Sequence, residues 1–230
     1  MHAPMKTNGS HASLATPPAV QRRKARFWDN TAPKYASQAI ADMAGYERTL
    51  QRVQGLLSAE HNVLELGCGT GTTALRLAAG TRRLLATDVS AQMIAIAQAK
   101  LANQPIAQLQ FSVADADAPA VENGAYDAVL AFNMLHLVDD LAQTLSAASQ
   151  ALKPGGLLIS KTPCLNEMNP LIAKLAVPLM RAVGKAPPVL CFNAAQLQAA
   201  MKHQGLEILA VERHGSKGKD FRVFIVARKP

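Results

Sequence analysis

Three glycines at alternate positions, Gly67, Gly69 and Gly71, close the segment Glu65-Leu66-Gly67-Cys68-Gly69-Thr70-Gly71. An apolar run from Asn62 to Leu66 leads into them, and a helical pattern starts at Thr72. The arrangement reads as a buried strand, a tight turn and a helix N-terminus. Glycine lets the backbone turn sharply and lets a ligand approach closely. The helix start offers free N–H groups and the positive end of a dipole. Such a turn, at the carboxyl edge of a sheet, binds a nucleotide-type ligand. Dinucleotide turns read G-x-G-x-x-G and hold a pyrophosphate. Here the third glycine comes one residue early, and Thr72 occupies the dinucleotide position. Glu65, just upstream of the first glycine, would repel a pyrophosphate and attract an ammonium group.

Two further carboxylates stand at strand ends. Asp88 closes the run Arg83 to Asp88, where a carboxylate can accept both hydroxyls of a ribose. It also competes for the role of cap on the helix that Ser90 opens. Asp115 follows the run Leu109 to Val113 and can take an adenine amino group, with Asp117 as its competitor. Met93 and Ile94 suit either an adenine face or the helix core. After the run Tyr126 to Phe132 comes Phe132-Asn133-Met134-Leu135-His136-Leu137. His136, with an ordinary pKa of about 6.5, is the candidate general base there; a structural histidine is the competing reading. S-adenosylmethionine carries an α-amino group and no phosphate, and satisfies Glu65, Asp88 and Asp115 together.

These residues need a scaffold. Residues 19–57 read as helical, with Gly45 interrupting the stretch without necessarily ending it. Strands are expected at 62–66, 83–88, 109–113, 126–132, 157–161, 206–213 and 222–227. Helices are expected at 72–79, 90–101, from Asp139 to about Leu152, and from Asn193 to about His203. Lys153-Pro154-Gly155-Gly156 reads as a turn before the fifth strand. Strands alternating with helices predict an α/β, doubly wound, mostly parallel sheet with helices on both faces. The short connector His214-Gly215-Ser216-Lys217-Gly218 makes the last two strands an antiparallel hairpin.

At this point the chain resembles the class I S-adenosylmethionine-dependent methyltransferases, within the small-molecule group that includes the ubiquinone-biosynthesis type. The resembling stretches are Val63 to Gly71, Leu85 to Ser90, Asp115, Tyr126 to Val129 and Leu152 to Gly156. The resemblance implies a seven-stranded sheet of order 3-2-1-4-5-7-6 with strand 7 antiparallel. It implies that Gly67, Cys68, Gly69 and Gly71 hold the methionine end of the donor beside Glu65. It assigns Asp88 to ribose and Asp115 to adenine, and Val89, Met93, Ala116 and Asn133 are further candidate donor-binding residues. In related enzymes an N-terminal aromatic residue covers the donor, and Tyr35 is the candidate; Phe27 and Trp28 suit packing of a helix on the sheet. Enzymes that methylate adenine or glutamine nitrogen carry an Asn/Asp-Pro-Pro-aromatic turn where this chain has Asn133-Met134-Leu135-His136.

Length and composition set the outer bounds. The chain has 230 residues, 49% of them hydrophobic, which fits a single domain over 19–230. Residues 1–18 hold too little apolar surface to fold and are expected to form a disordered tail without a secretory leader. Residues 19–57 would form an N-terminal helical cap, and the Pro-punctuated apolar segment 163–192 a lid. That segment's competing readings are core packing and contact with a membrane surface. Cys68, Cys164 and Cys191 form no CxxC pair, which points to a reduced, cytoplasmic protein without structural metal. The net charge of +8 includes a cluster at Arg22, Arg23, Lys24 and Arg26 and another from Arg213 to Lys229, read as solvated surface. With aromatic residues at 4%, a base-stacking nucleic-acid surface is weakly supported. The sequence therefore predicts methyl transfer to a small, apolar or aromatic acceptor. The alternatives are an RNA methyltransferase and a non-catalytic S-adenosylmethionine-binding regulator.

Overall fold

The computed structural model describes residues 19–119, 121–168, 189–216 and 220–230. The expected tail at 1–18 and most of the expected lid, 169–188, lie outside the described residues.

Seven strands make one sheet: β1 (Asn62–Leu66), β2 (Arg83–Asp88), β3 (Leu109–Val113), β4 (Tyr126–Phe132), β5 (Leu152–Pro163), β6 (Glu207–Glu212) and β7 (Arg222–Arg228). Their order is β3-β2-β1-β4-β5-β7-β6. All pairings are parallel except those of β7, which runs antiparallel to β5 and β6. The predicted hairpin and sheet order are therefore both present. Helices α1 (Ala19–Ala36), α2 (Met43–Gln54), α3 (Thr72–Leu77), α4 (Ala91–Asn103), α5 (Leu141–Ala151) and α6 (Ala194–His203) surround the sheet.

Each central strand is buried on both faces, so its side chains alternate between two apolar layers. Leu64, Leu66, Val129 and Leu158 pack with Leu145 of α5 and Leu197 of α6. Val63, Leu130, Ile159 and Phe224 pack with Leu50 of α2, Leu77 of α3 and Ile94 of α4. Phe224 is fully buried and on its own contributes roughly 2–3 kcal/mol of apolar burial. Local caps fix the helix starts. Ser90 Oγ accepts from Met93 N–H, and Asp140, one residue after the expected Asp139, accepts from Gln143 N–H. Asn193 and Gln196 cap each other reciprocally at α6.

Two local expectations shift. The break in the N-terminal helical region falls at 37–42, not at Gly45. Asp42 caps α2 by accepting from Gly45 N–H at 3.0 Å, so Gly45 sits inside the first turn and opens nothing. The Lys153–Gly156 turn does not precede β5 but interrupts it. Tyr126 pairs with Leu152 while Ala128 pairs with Leu157, and Gly155 absorbs the irregularity at φ 78°. No helix among the described residues is long and apolar enough to cross a membrane.

Candidate functional site

The turn after β1 is pinned to β2 by two hydrogen bonds. Cys68 N–H donates to the Thr87 carbonyl at 2.9 Å, and Gly69 N–H donates to Asp88 Oδ2 at 2.9 Å. Gly67 adopts φ 64°, and a Cβ there would stand 2.7 Å from the Met134 Cβ. Gly71 adopts φ 75°, and a Cβ there would stand 2.6 Å from the Phe111 ring. Both positions exclude a side chain by conformation and by space. Gly71 thus shapes the turn from below, whereas Gly67, Cys68 and Gly69 line open space above it.

That space is two adjoining cavities. The larger, about 440 Å³, runs along the carboxyl edge of the sheet. Asp88, Val89, Met93, Asp115 and Ala116 line one end, and Asn133 and His136 the other. The second, about 300 Å³, lies on the α2 side of the turn and is lined by Glu65, Cys68 and Tyr46 among others. Tyr35, Gly67, Gly69 and Asn133 border both. Every predicted site residue except Gly71 therefore faces one cavity or the other. Ile94 belongs to the core instead.

The carboxylates differ in environment. Glu65 is 2% exposed, and its Oε2 has no partner among the described residues. Burial, and then the charge of Asp88, push its carboxyl up to about 8. Asp88 is also raised, by burial first, although Ser90 and Gly69 N–H groups pull the other way. It holds one backbone N–H on each oxygen, so it caps the Ser90 backbone while still lining the cavity. Asp115 is 8% exposed and binds Lys24 Nζ through Oδ1 at 2.8 Å. His136 carries a buried Nδ1 without a partner among the described residues, and burial lowers its imidazole to about 4. Asn133 is the one non-glycine residue at positive φ (54°) among those described, and its N–H donates to the Lys161 carbonyl at 2.7 Å. Strain of this kind clusters where backbone is held for function.

Helix α1 roofs the larger cavity, and here the sequence reading needs correction. Lys24, expected on a solvated basic surface, is inserted among Asp115 (2.8 Å), Asp117 (3.0 Å) and Asp139 (3.1 Å). Burial opposes its charge, but hydrogen bonds and charges from Asp115 and Asp117 hold the ammonium above its ordinary value. Trp28, expected to pack helix on sheet, lines the cavity, with Phe27 edge-on to it at 5.2 Å. Asp29 Oδ1 accepts from Ser90 Oγ at 2.7 Å and from Gln92 N–H at 3.1 Å, fastening α1 to the start of α4. Tyr35 lies over the turn, its Cε1 3.6 Å from where a Gly69 Cβ would be. No local spacing marks Lys24 or Asp29, because their partners lie from 61 residues away (Asp29 to Ser90) to 115 (Lys24 to Asp139).

Residues 63–156 match the family model of a methyltransferase domain. An uncharacterized methyltransferase of Mycobacterium tuberculosis is 36% identical over 96 residues, covering 42% of this chain and 47% of that protein. The ubiquinone biosynthesis O-methyltransferase of Leptothrix cholodnii is 30% identical over 128 residues, covering 55% and 52%. The chain thus spans about half the length of the curated relatives it matches. The geranyl diphosphate C-methyltransferase of Streptomyces coelicolor, solved with Mg²⁺, geranyl diphosphate and S-adenosylhomocysteine, shares the fold with a TM-score of 0.69 at 16% identity, covering 94% of this chain and 99% of that one. Sheet order, glycine turn and the methyltransferase domain matched over residues 63–156 agree with one another and with the resemblance to the class I S-adenosylmethionine-dependent methyltransferases.

Proposed function

We propose that this chain transfers a methyl group from S-adenosylmethionine to a small, apolar or aromatic acceptor. One observation supports it above the others: a buried carboxylate, Glu65, with an unpartnered oxygen in a cavity that meets the glycine turn. An entering ammonium favours the ionised carboxylate and is held by it, a gain that a phosphate does not have. The other residues fit the same donor. Asp88 retains lone pairs for ribose hydroxyls after its two backbone contacts. Val89 and Met93 offer apolar contact to a base. Lys24 occupies Asp115 Oδ1 and leaves Oδ2 for an amino group. S-adenosylmethionine supplies, when bound, an electrophilic methyl on a sulfonium. The chain's own contribution is alignment and exclusion of water, and orientation alone supplies on the order of 7–11 kcal/mol. Trp28 and Tyr35 close the cavity from α1. His136 stays neutral at pH 7 and accepts a proton only from an acceptor that must lose one.

Titration calorimetry against S-adenosylmethionine and NADH tests the reading. The first binds and the second does not; binding of NADH alone would end it. Asp88→Ala weakens the donor by about tenfold to a hundredfold, the size of a lost hydrogen-bond pair to a charged group, with the fold intact by circular dichroism. A screen with radiolabelled donor against phenols, thiols, amines and lipids then identifies the acceptor.

A further inference from the structure

We propose that the cavity on the α2 side of the turn is a carboxylate-binding site centred on Lys161, an inference that rests on the donor reading above. Lys161 lies on β5, paired with Phe132 on one side and Phe224 on the other. Glu65, Leu130 and Ile159 are aligned across three strands, and Lys161 stands two residues beyond Ile159, so it shares Glu65's face of the sheet. Both line the same cavity of about 300 Å³.

Lys161 is only 8% exposed. Its ammonium donates to Thr49 Oγ1 at 2.8 Å and to the Gly45 carbonyl at 3.5 Å, both neutral acceptors. No carboxylate lies within 4.0 Å of it among the described residues, and the remaining residues of the chain contain no Asp or Glu. The acids whose charge it feels are engaged elsewhere. Asp42 accepts from Gly45 N–H, Ser216 N–H and Ser216 Oγ. Asp220 accepts from Gly215 N–H, Arg222 N–H and Arg222 Nε. Arg222 lines the same cavity. A buried ammonium without a counter-charge is costly, and an anion entering the cavity removes that cost. Glu65, on the same face, ionises in favour of an ammonium, so together with Lys161 it favours a carboxylate that carries an ammonium nearby. Two sources have this chemistry: the amino-acid end of the donor, and a carboxylate on the acceptor.

Calorimetry on wild type and Lys161→Met distinguishes them. The probes are S-adenosylhomocysteine, its decarboxylated analogue, and 5′-methylthioadenosine; benzoate and benzamide are titrated into the S-adenosylhomocysteine complex. If the donor supplies the carboxylate, wild type prefers S-adenosylhomocysteine over the decarboxylated analogue by about tenfold to a hundredfold, as expected for a charged hydrogen bond. Lys161→Met then erases that preference and binds 5′-methylthioadenosine as wild type does. If the acceptor supplies it, the preference survives, and benzoate but not benzamide binds the wild-type complex and not the variant. Neither effect, in a variant that melts at or above the wild-type temperature, overturns the proposal. Lys161→Gln gives the same readout should Lys161→Met not fold. Wild type that binds neither nucleoside overturns the donor reading itself, which is distinct from a variant whose loss of charge changes nothing.

Discussion

In the proposed mode of donor binding, Glu65 faces the donor's ammonium, so binding and pH are linked. Its carboxyl is pushed up to about 8 by burial and by Asp88, against 4.5 ordinarily. Below pH 4.5 folded and unfolded chains both hold the proton, and the fold loses nothing. Between 4.5 and 8 the unfolded chain ionises while the fold keeps the proton, so stability falls as pH rises. A bound ammonium favours the ionised carboxylate. At pH 7 donor binding therefore releases close to one proton, and affinity rises as pH approaches 8. Calorimetry in two buffers of different ionisation enthalpy measures the proton count. It should vanish in Glu65→Gln, together with about tenfold to a hundredfold of affinity; a count that persists in the variant assigns the proton to another group. His136 acts in the same direction but at lower pH. With its imidazole lowered to about 4 by burial, it is a deprotonated but weak base. His136→Ala should cut turnover at the lower end of the range of about 10²–10⁴ for general-base catalysis, at unchanged donor affinity. At saturating donor, the acid limb of kcat/KM for the acceptor should fall through about pH 4, not 6.5, as the base is protonated. Unchanged turnover removes the role. The position of Glu65 at the cavity was legible from its spacing to Gly67. Lys161 was not, because a lysine at a strand end carries no local mark of being buried.

Among the elements, the helix starts and the central strands follow from local pattern: Ser90 and Asn193 each cap the N–H three residues on, and Gly67, Gly69 and Gly71 turn the backbone at positive φ where they stand. Helix α1 does not. Its position comes from Lys24 reaching Asp115, Asp117 and Asp139, and from Asp29 reaching α4. Its share of the cavity, Trp28 and Tyr35, depends on those distant contacts. Lys24→Ala tests this. It leaves three carboxylates, whose oxygens lie within 4.8 Å of one another, without their cation. Breaking a buried charge pair costs about 3–5 kcal/mol, which at this chain length corresponds to a melting temperature lower by roughly 6–20 °C. Donor affinity falls with it, because α1 no longer covers the site. Calcium should raise the melting temperature of the variant and leave wild type unchanged, since only the variant offers the empty carboxylate cluster. A melting temperature equal to wild type, with or without calcium, shows that α1 is held by other contacts.

Over the whole molecule, the net charge of +8 hides an uneven distribution. The donor edge is acidic: Asp29, Asp88, Asp115, Asp117 and Asp139 gather there, and Lys24 is committed to three of them. Much of the basic C-terminal cluster is laced into ion pairs, Arg213 with Glu167, Arg222 with Asp220 and Arg228 with Glu207. Composition alone, which left RNA as an alternative acceptor, cannot show this arrangement, because it counts charges without placing them. A polyanion approaching the larger cavity meets like charge at its rim, so its affinity has to come from surface remote from the methyl group. That kind of binding is counterion release and weakens steeply with salt. Mixed tRNA should therefore bind at about 20 mM salt, lose on the order of a hundredfold in affinity by about 150 mM, and receive no label from radiolabelled donor at either concentration. Label in RNA at 150 mM salt would overturn the small-molecule reading, and would require the acidic rim to be covered or neutralised in the complex.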